Sequence, residues 1–192
     1  RGGLFLADEV QPGFGRTGSH FWGFQRHELI PDMVSMGKPM GNGYPLAGLA
    51  LKPETIAEFG ARSRYFNTFG GNAVAAAVGL AVLDVIRDEG LQQNAATVGK
   101  ALADGLRSLA QRHDALGETR AAGLFIGQTI QSNGRPDPAR TAHLVNALRD
   151  NRILISSTGP QGDSLKIRPP LPFGLAHVDQ FLTTLDRLLP TI

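Results

Sequence analysis

The chain has 192 residues, enough for one ordinary domain or for the end of one domain followed by a smaller one. Apolar residues make up 42%, too many for a disordered chain, and 19 basic against 17 acidic residues leave a net charge of +2 with no polybasic run, so no nucleic-acid partner is expected. Cysteine is absent, which excludes a disulfide scaffold, a thiol nucleophile and a thiolate metal site and suits a reducing cytoplasm.

No apolar run is long enough to span a bilayer and no signal peptide is visible, so no membrane partner is expected. The chain opens at Arg1 and reaches the apolar run Leu4-Phe5-Leu6-Ala7 within three residues. It therefore reads as the later part of a longer polypeptide. The run ends in Asp8-Glu9 and predicts a strand buried on both faces, as in a parallel sheet. A glycine-rich loop, Gly13 to Gly18, comes next. It has the form G-x-G-x-x-G, but Pro12 interrupts the approach and Ser19-His20-Phe21-Trp22-Gly23 follows where a dinucleotide fold needs a helix, so a nicotinamide site is not expected. Met33 to Met36 predicts a second buried strand, broken by Gly37-Lys38-Pro39, and Leu46 to Leu51 a third.

Pro53 to Phe59 predicts a short helix, and Asn72 opens a longer one from Ala73 to about Glu89, ended by Gly90. Leu91 to about Arg112 predicts another, with Leu91, Ala95, Val98, Leu102, Leu106 and Leu109 at three- and four-residue steps. Beyond it, strands at 123–130, 153–156 and 165–167 alternate with helices at 139–150 and 176–189, the pattern of a smaller α+β domain. The expected organisation is an α/β fold with a boundary between residues 90 and 115, drawn as 1–100 and 101–192.

Four positions carry candidate chemistry. Asp8 ends the first strand, where open α/β sheets place ligands, and alternation puts Val10 on its side. A carboxylate and an apolar side chain together suit an aromatic cation; a loop-initiating or capping acid is the alternative. Lys38 sits at a glycine-bounded strand end, where desolvation would free its amine for Schiff-base chemistry; a surface lysine in a turn is the alternative. Thr68 precedes Phe69-Gly70-Gly71-Asn72 and a helix start, which together suit a phosphate, while plain capping by Asn72 explains the segment equally. Arg168 follows Leu165-Lys166-Ile167, so one face is apolar and the other basic, and Pro169-Pro170 holds the guanidinium at the strand tip, where it could clamp a carboxylate or simply mark an exposed edge. Histidine appears five times but in no close metal-binding pair, and no metal is expected.

Taken together, four segments are far more specific than their parts: Leu6 to Gly18, Pro31-Asp32-Met33-Val34-Ser35-Met36-Gly37-Lys38, Asn67-Thr68-Phe69-Gly70-Gly71-Asn72, and Lys166-Ile167-Arg168-Pro169-Pro170. In order and spacing, including 38 − 8 = 30 residues from acid to lysine, the chain resembles the class III (ω-type) aminotransferases over essentially its whole length. The resemblance implies a fold-type I pyridoxal 5′-phosphate (PLP) enzyme: residues 1–100 the end of the large PLP-binding domain, residues 101–192 the small C-terminal domain. It implies that Asp8 pairs with the pyridine nitrogen, Val10 covers the ring, Gln11 reaches the phenolic oxygen side, and Lys38 carries the cofactor as a Schiff base. Thr68 would bind the phosphate of the neighbouring subunit's cofactor in a homodimer, and Arg168 would bind a substrate carboxylate. Ala73 stands where many members have proline, a helix-start position where proline is merely convenient. The implied reaction is transamination between an amine or amino acid and a keto acid in the cytoplasm. The same segments are similar to ethanolamine-phosphate phospho-lyases, a subgroup that expels phosphate instead, and a non-catalytic PLP-binding module is a third reading.

Overall fold

The computed structural model describes residues 2–191. Contacts divide the chain into two compact units, Arg1–Gln92 and Gln93–Ile192.

The first unit is built on a three-stranded sheet in the order β1 (Leu6–Asp8), β2 (Met33–Met36), β3 (Gly48–Leu51). β1 runs parallel to β2 with Asp8 opposite Ser35, and β3 returns antiparallel with Gly48 opposite Met36. The Asp32 carboxylate fastens this sheet at the end away from the loops that follow β1 and β2. It accepts the Phe5 amide at 2.8 Å and the Lys52 ammonium at 2.8 Å. The Lys52 hydrogen bond, then the Phe5 amide, holds the Asp32 carboxyl below its usual range. Strand β1 starts two residues later than the apolar run suggests, because the ladder needs Met33 to Ser35 as partners. It is also not buried on both faces: Ala7 is buried, but Leu6 is 44% exposed.

Helix α1 (Pro53–Arg62) opens on a proline, which the first helical position tolerates. Helix α2 (Ala73–Asp88) is capped by Asn72, whose Oδ1 accepts the Ala75 amide at 2.9 Å. Gly90, at φ +60°, takes the left-handed backbone that lets the chain turn after it. Ala75 and Ile86 are buried, whereas Val74, Leu80, Leu83 and Val85 stand exposed.

In the second unit an antiparallel sheet is backed by three helices. Its order is β4 (Leu116–Ala122), β5 (Phe125–Ser132), β8 (Ser164–Ile167), β7 (Ser156–Thr158), with β6 (Arg135–Pro136) paired to β5. Helices α3 (Leu91–Ala110), α4 (Pro138–Asp150) and α5 (Leu175–Leu188) complete it. The apolar stripe of α3 is buried as its spacing predicts, and its residues from Ala95 onward join Ile126 and Ile130 of β5, Leu144 and Leu148 of α4, Leu165 of β8, and Phe181 and Leu185 of α5 in one core. A Cβ on Gly99 would lie 2.2 Å from the Gly123 carbonyl carbon, so only glycine lets α3 pass the β4–β5 turn. Gln128 is fully buried, yet its amide is satisfied by Thr119, Gly117 and Thr129.

Three strands of the second unit differ from expectation, among them the two-residue β6, which nothing in Arg135-Pro136 signals. β4 is absent from the sequence reading, since Gly117-Glu118-Thr119-Arg120 carries no apolar alternation; pairing with β5 makes it a strand. The run 153–156 reads as a strand, but pairing begins only at Ser156. Ile153 and Ile155 instead pack on the core while Leu154 is 91% exposed. No helix among the described residues is long and apolar enough to cross a membrane.

The end of α3 is tied to α5 by charge. His113 Nε2 lies 2.5 Å from Asp186 Oδ1, and Arg112 donates to Oδ2 at 3.1 Å. The His113 contact, followed by the Arg112 hydrogen bond, depresses the Asp186 carboxyl below its usual value. A depressed folded pKa stabilises the fold above the unfolded value, about 3.9, and that contribution is lost as pH falls through the lower folded value. Asp186→Asn should therefore lower the melting temperature at neutral pH, and the gap to wild type should close on acidification below about pH 4. Thermal melts across pH measure this; a gap constant with pH would show that the carboxylate charge is not its source.

Candidate functional site

The parallel pairing of β1 and β2 ends both strands on the same side of the sheet: Asp8, the last residue of β1, lies opposite Ser35, and Gly37-Lys38 follow directly after β2. Asp8 is exposed, and its Oδ1 accepts the Val10 amide at 3.1 Å, with the Ser35 hydroxyl at a long 3.5 Å. That Asx-type turn carries the chain up from the strand. Val10 closes over the second strand end: a Cβ on Gly37 would sit 3.7 Å from both Val10 methyl groups. Gln11 follows, exposed, in the same turn.

Lys38 begins a short 3₁₀ turn, Lys38–Met40, and is exposed. Its φ of +22° lies in the region that favours glycine. A side chain held there costs roughly 1–3 kcal/mol and persists where the surroundings impose it, commonly at functional sites. The glycine at position 41 is equally constrained for a different reason, since a Cβ there would meet the Tyr44 carbonyl oxygen at 2.2 Å.

Glu9, which sequence reasoning passed over, organises the loop beside this edge. It is 2% exposed, and its two oxygens accept the amides of Gly23 at 2.7 Å and Phe24 at 2.8 Å. Those amides open a 3₁₀ helix, Gly23–His27, so the carboxylate meets the positive end of a short backbone dipole. The loop between is filled by Phe14, Phe21 and Trp22, whose ring centroids are 4.9–5.4 Å apart in tilted and edge-on pairs. Gly13, Gly15 and Gly18 serve this packing. Gly15 and Gly18 have positive φ, and a Cβ on Gly13 would press the Glu9 carbonyl at 2.8 Å. No helix begins at Gly18. The only sequence signal for Glu9 was an acid following an acid, which does not distinguish a buried role.

Thr68 lies in the exposed loop that precedes α2. The backbone amides of Phe69 and Gly70, candidates for a phosphate cradle, are accepted by Asn67 Oδ1 at 3.1 and 3.0 Å. Asn72 caps the helix as the simpler alternative required. Among the described residues no hydrogen bond joins Thr68 to Asp8, Val10 or Lys38. Three aromatics of this loop, Tyr65, Phe66 and Phe69, are 74–86% exposed.

Arg168 belongs to the second unit, one residue past β8. As alternation predicts, Leu165 and Ile167 are buried while Lys166 and Arg168 are half-exposed. The Arg168 Nη1 donates to the carbonyls of Ile126 and, at 2.8 Å, of Ile167.

Comparison with known proteins places these residues in context. Residues 1–189 match the Aminotransferase class-III family. The chain is 44% identical over 188 residues to the alanine–glyoxylate aminotransferase 2 homolog 2, mitochondrial, of Arabidopsis thaliana, covering 96% of this chain and 39% of that protein. It is 39% identical over 194 residues to the ethanolamine-phosphate phospho-lyase homolog 1 of Caenorhabditis elegans, covering 98% of this chain and 42% of that protein. Among solved structures, a phospholyase from Arthrobacter in complex with phosphoethanolamine superposes with a TM-score of 0.95 at 45% identity, over 100% of this chain and 46% of that one. The chain thus spans about two-fifths of the length of the curated relatives it matches. The family depends on PLP, and the fold is α/β of fold-type I. This chain belongs to the class III aminotransferases.

Proposed function

We propose that the protein catalyses PLP-dependent transfer of an amino group from an amine or amino acid to a keto acid. The observation that supports the reading is the parallel pairing of β1 with β2, which puts Asp8 opposite Ser35 and Val10 against Gly37, the residue before Lys38. The donor set suits the cofactor: a carboxylate for a protonated ring nitrogen, an apolar side chain for a ring face, and an amine. When bound, PLP supplies an aldehyde that an amine can join and an electron-poor ring that takes up the electron pair of a bond broken beside that amine. Lys38 Nζ would hold the cofactor covalently, and its amine, when free, would take a proton from the substrate carbon. Asp8 keeps the ring nitrogen protonated by its charge. Gln11 reaches the phenolic oxygen side of the ring, and Arg168 holds the carboxylate of at least one substrate.

Residues 1–100 supply the end of the cofactor-binding domain and residues 101–192 the small C-terminal domain. Thr68 binds the phosphate of the neighbouring subunit's cofactor in a homodimer. The exposed aromatics around it suit burial against a partner. The cytoplasm is the expected location, although the Arabidopsis relative is named mitochondrial.

A second reading, elimination of phosphate from a phosphorylated amino alcohol, is favoured by one observation, the superposition on the phosphoethanolamine-bound phospholyase. The proton removal by Lys38 is common to both. The full-length protein, given amino donors with a keto acid or ethanolamine phosphate alone, separates them. Amino-group transfer that needs the keto acid is the expected result. Phosphate and aldehyde released without a keto acid would overturn it in favour of the lyase, and no turnover of either kind would leave a non-catalytic PLP-binding module.

A further inference from the structure

We propose that Phe125 is a positioning residue that sets the plane of the Arg168 guanidinium for carboxylate binding. The inference rests on the reading of Arg168 as the carboxylate clamp. In the β5–β8 ladder Ile126 faces Ile167 and Gly127 faces Lys166. Continuing that register by one pair puts Phe125 opposite Arg168, on the same face of the sheet. The Arg168 guanidinium carbon stands 3.5 Å over the centroid of the Phe125 ring, within cation–π range. Its Nη1 is tied to the carbonyl of Ile126, the residue next to Phe125, and to that of Ile167.

These contacts do different things. The carbonyls hold one end of a flexible side chain. The ring lies against a face of the guanidinium and restrains its rotation, because tilting lifts the cation off the negative face of the ring. Bidentate recognition of a carboxylate needs a guanidinium whose plane is set before the substrate arrives; otherwise part of the binding free energy goes into ordering it. Phe125 contributes no hydrogen bond to this arrangement, so its effect operates through Arg168. A bare packing role would act on stability and on all substrates alike.

The test uses the full-length holoenzyme with a keto acid and, as donor, a primary amine lacking a carboxylate. Phe125→Leu should raise KM for the keto acid roughly fivefold or more, with kcat and the amine KM within about twofold of wild type. Phe125→Tyr, which keeps the aromatic face, should restore the keto-acid KM. Arg168→Lys, which removes the planar fork, should raise the same KM by more than Phe125→Leu does. Four results would overturn the inference. Arg168→Lys raising the keto-acid KM while Phe125→Leu leaves it alone removes Phe125 from the site but keeps the clamp. Arg168→Lys without effect removes both. Equal losses in Phe125→Leu and Phe125→Tyr rule out the ring face as the cause. A parallel rise in both KM values with a lower melting temperature assigns Phe125 to packing alone.

Discussion

Lys38→Ala in the full-length protein should lower turnover by at least about 10⁴-fold, because in the proposed reaction one side chain is both covalent anchor and proton-transfer base. The absorbance of the lysine-bound cofactor should vanish in the same variant, while Lys100→Ala keeps it. Lys100 lies on the exposed side of α3, paired with Asp104 at 2.5 Å. The backbone at position 38 allows a second, independent measurement. At φ +22°, alanine meets the same steric objection as lysine, whereas glycine does not. Lys38→Gly should therefore be more stable than Lys38→Ala by about 1 kcal/mol although both are inactive. Compared as cofactor-free proteins by denaturant titration, the two isolate the strain from the chemistry. Retained turnover in Lys38→Ala would sink the assignment of the anchor; equal stabilities would show that the turn imposes no strain.

The elements best legible in the sequence are those whose own residues carry the pattern. The stripe of α3 repeats at helical spacing for five turns, and each of its six named positions is buried. Met33 to Met36, bounded by Asp32 and Gly37, is a strand over that same span, although half-buried rather than buried. Where structure depends on a distant partner, the local pattern is silent. β4 exists because β5 lies beside it, and the apolar 153–155 stretch stays out of the ladder because packing on the core satisfies it instead. The site follows the same division. Asp8 and Lys38 stand out as residue types at strand ends. The burial of Glu9 against amides 14 and 15 residues away, and the stacking of Phe125 under Arg168 across 43 positions (168 − 125), arise from loop closure and sheet register that no local window contains. The loop before α2 shows the converse case. Asn67 and Asn72 both take up backbone amides there, so a helix start that looks free to hold a phosphate from composition is partly occupied by its own side chains.

Asp8→Asn should lower kcat by roughly 10²- to 10³-fold with little change in melting temperature, since it removes a charge aimed at the reaction while keeping the turn. In the proposed site the Asp8 carboxylate has two separable duties. Oδ1 accepts the Val10 amide at 3.1 Å, and an asparagine carbonyl can do the same, so the path of the chain past the strand end survives. The negative charge is what asparagine lacks. That charge favours a proton on a ring nitrogen facing it, and without it the ring loses its positive charge and much of its pull on the electrons of the bond being broken. Asp8→Glu keeps the charge but moves it by one methylene and gives up the short turn to Val10, so it should recover part of the activity at some loss of stability. Ser35, which approaches Oδ1 only at 3.5 Å, is too distant to replace the charge, and Ser35→Ala should leave kcat within a few-fold of wild type. Rapid-mixing measurement of proton removal from the substrate carbon in the four proteins orders them directly. An Asp8→Asn enzyme that removes the proton as fast as wild type would mean that the carboxylate serves the turn alone, and that the edge formed by β1 and β2 does not hold the ring nitrogen.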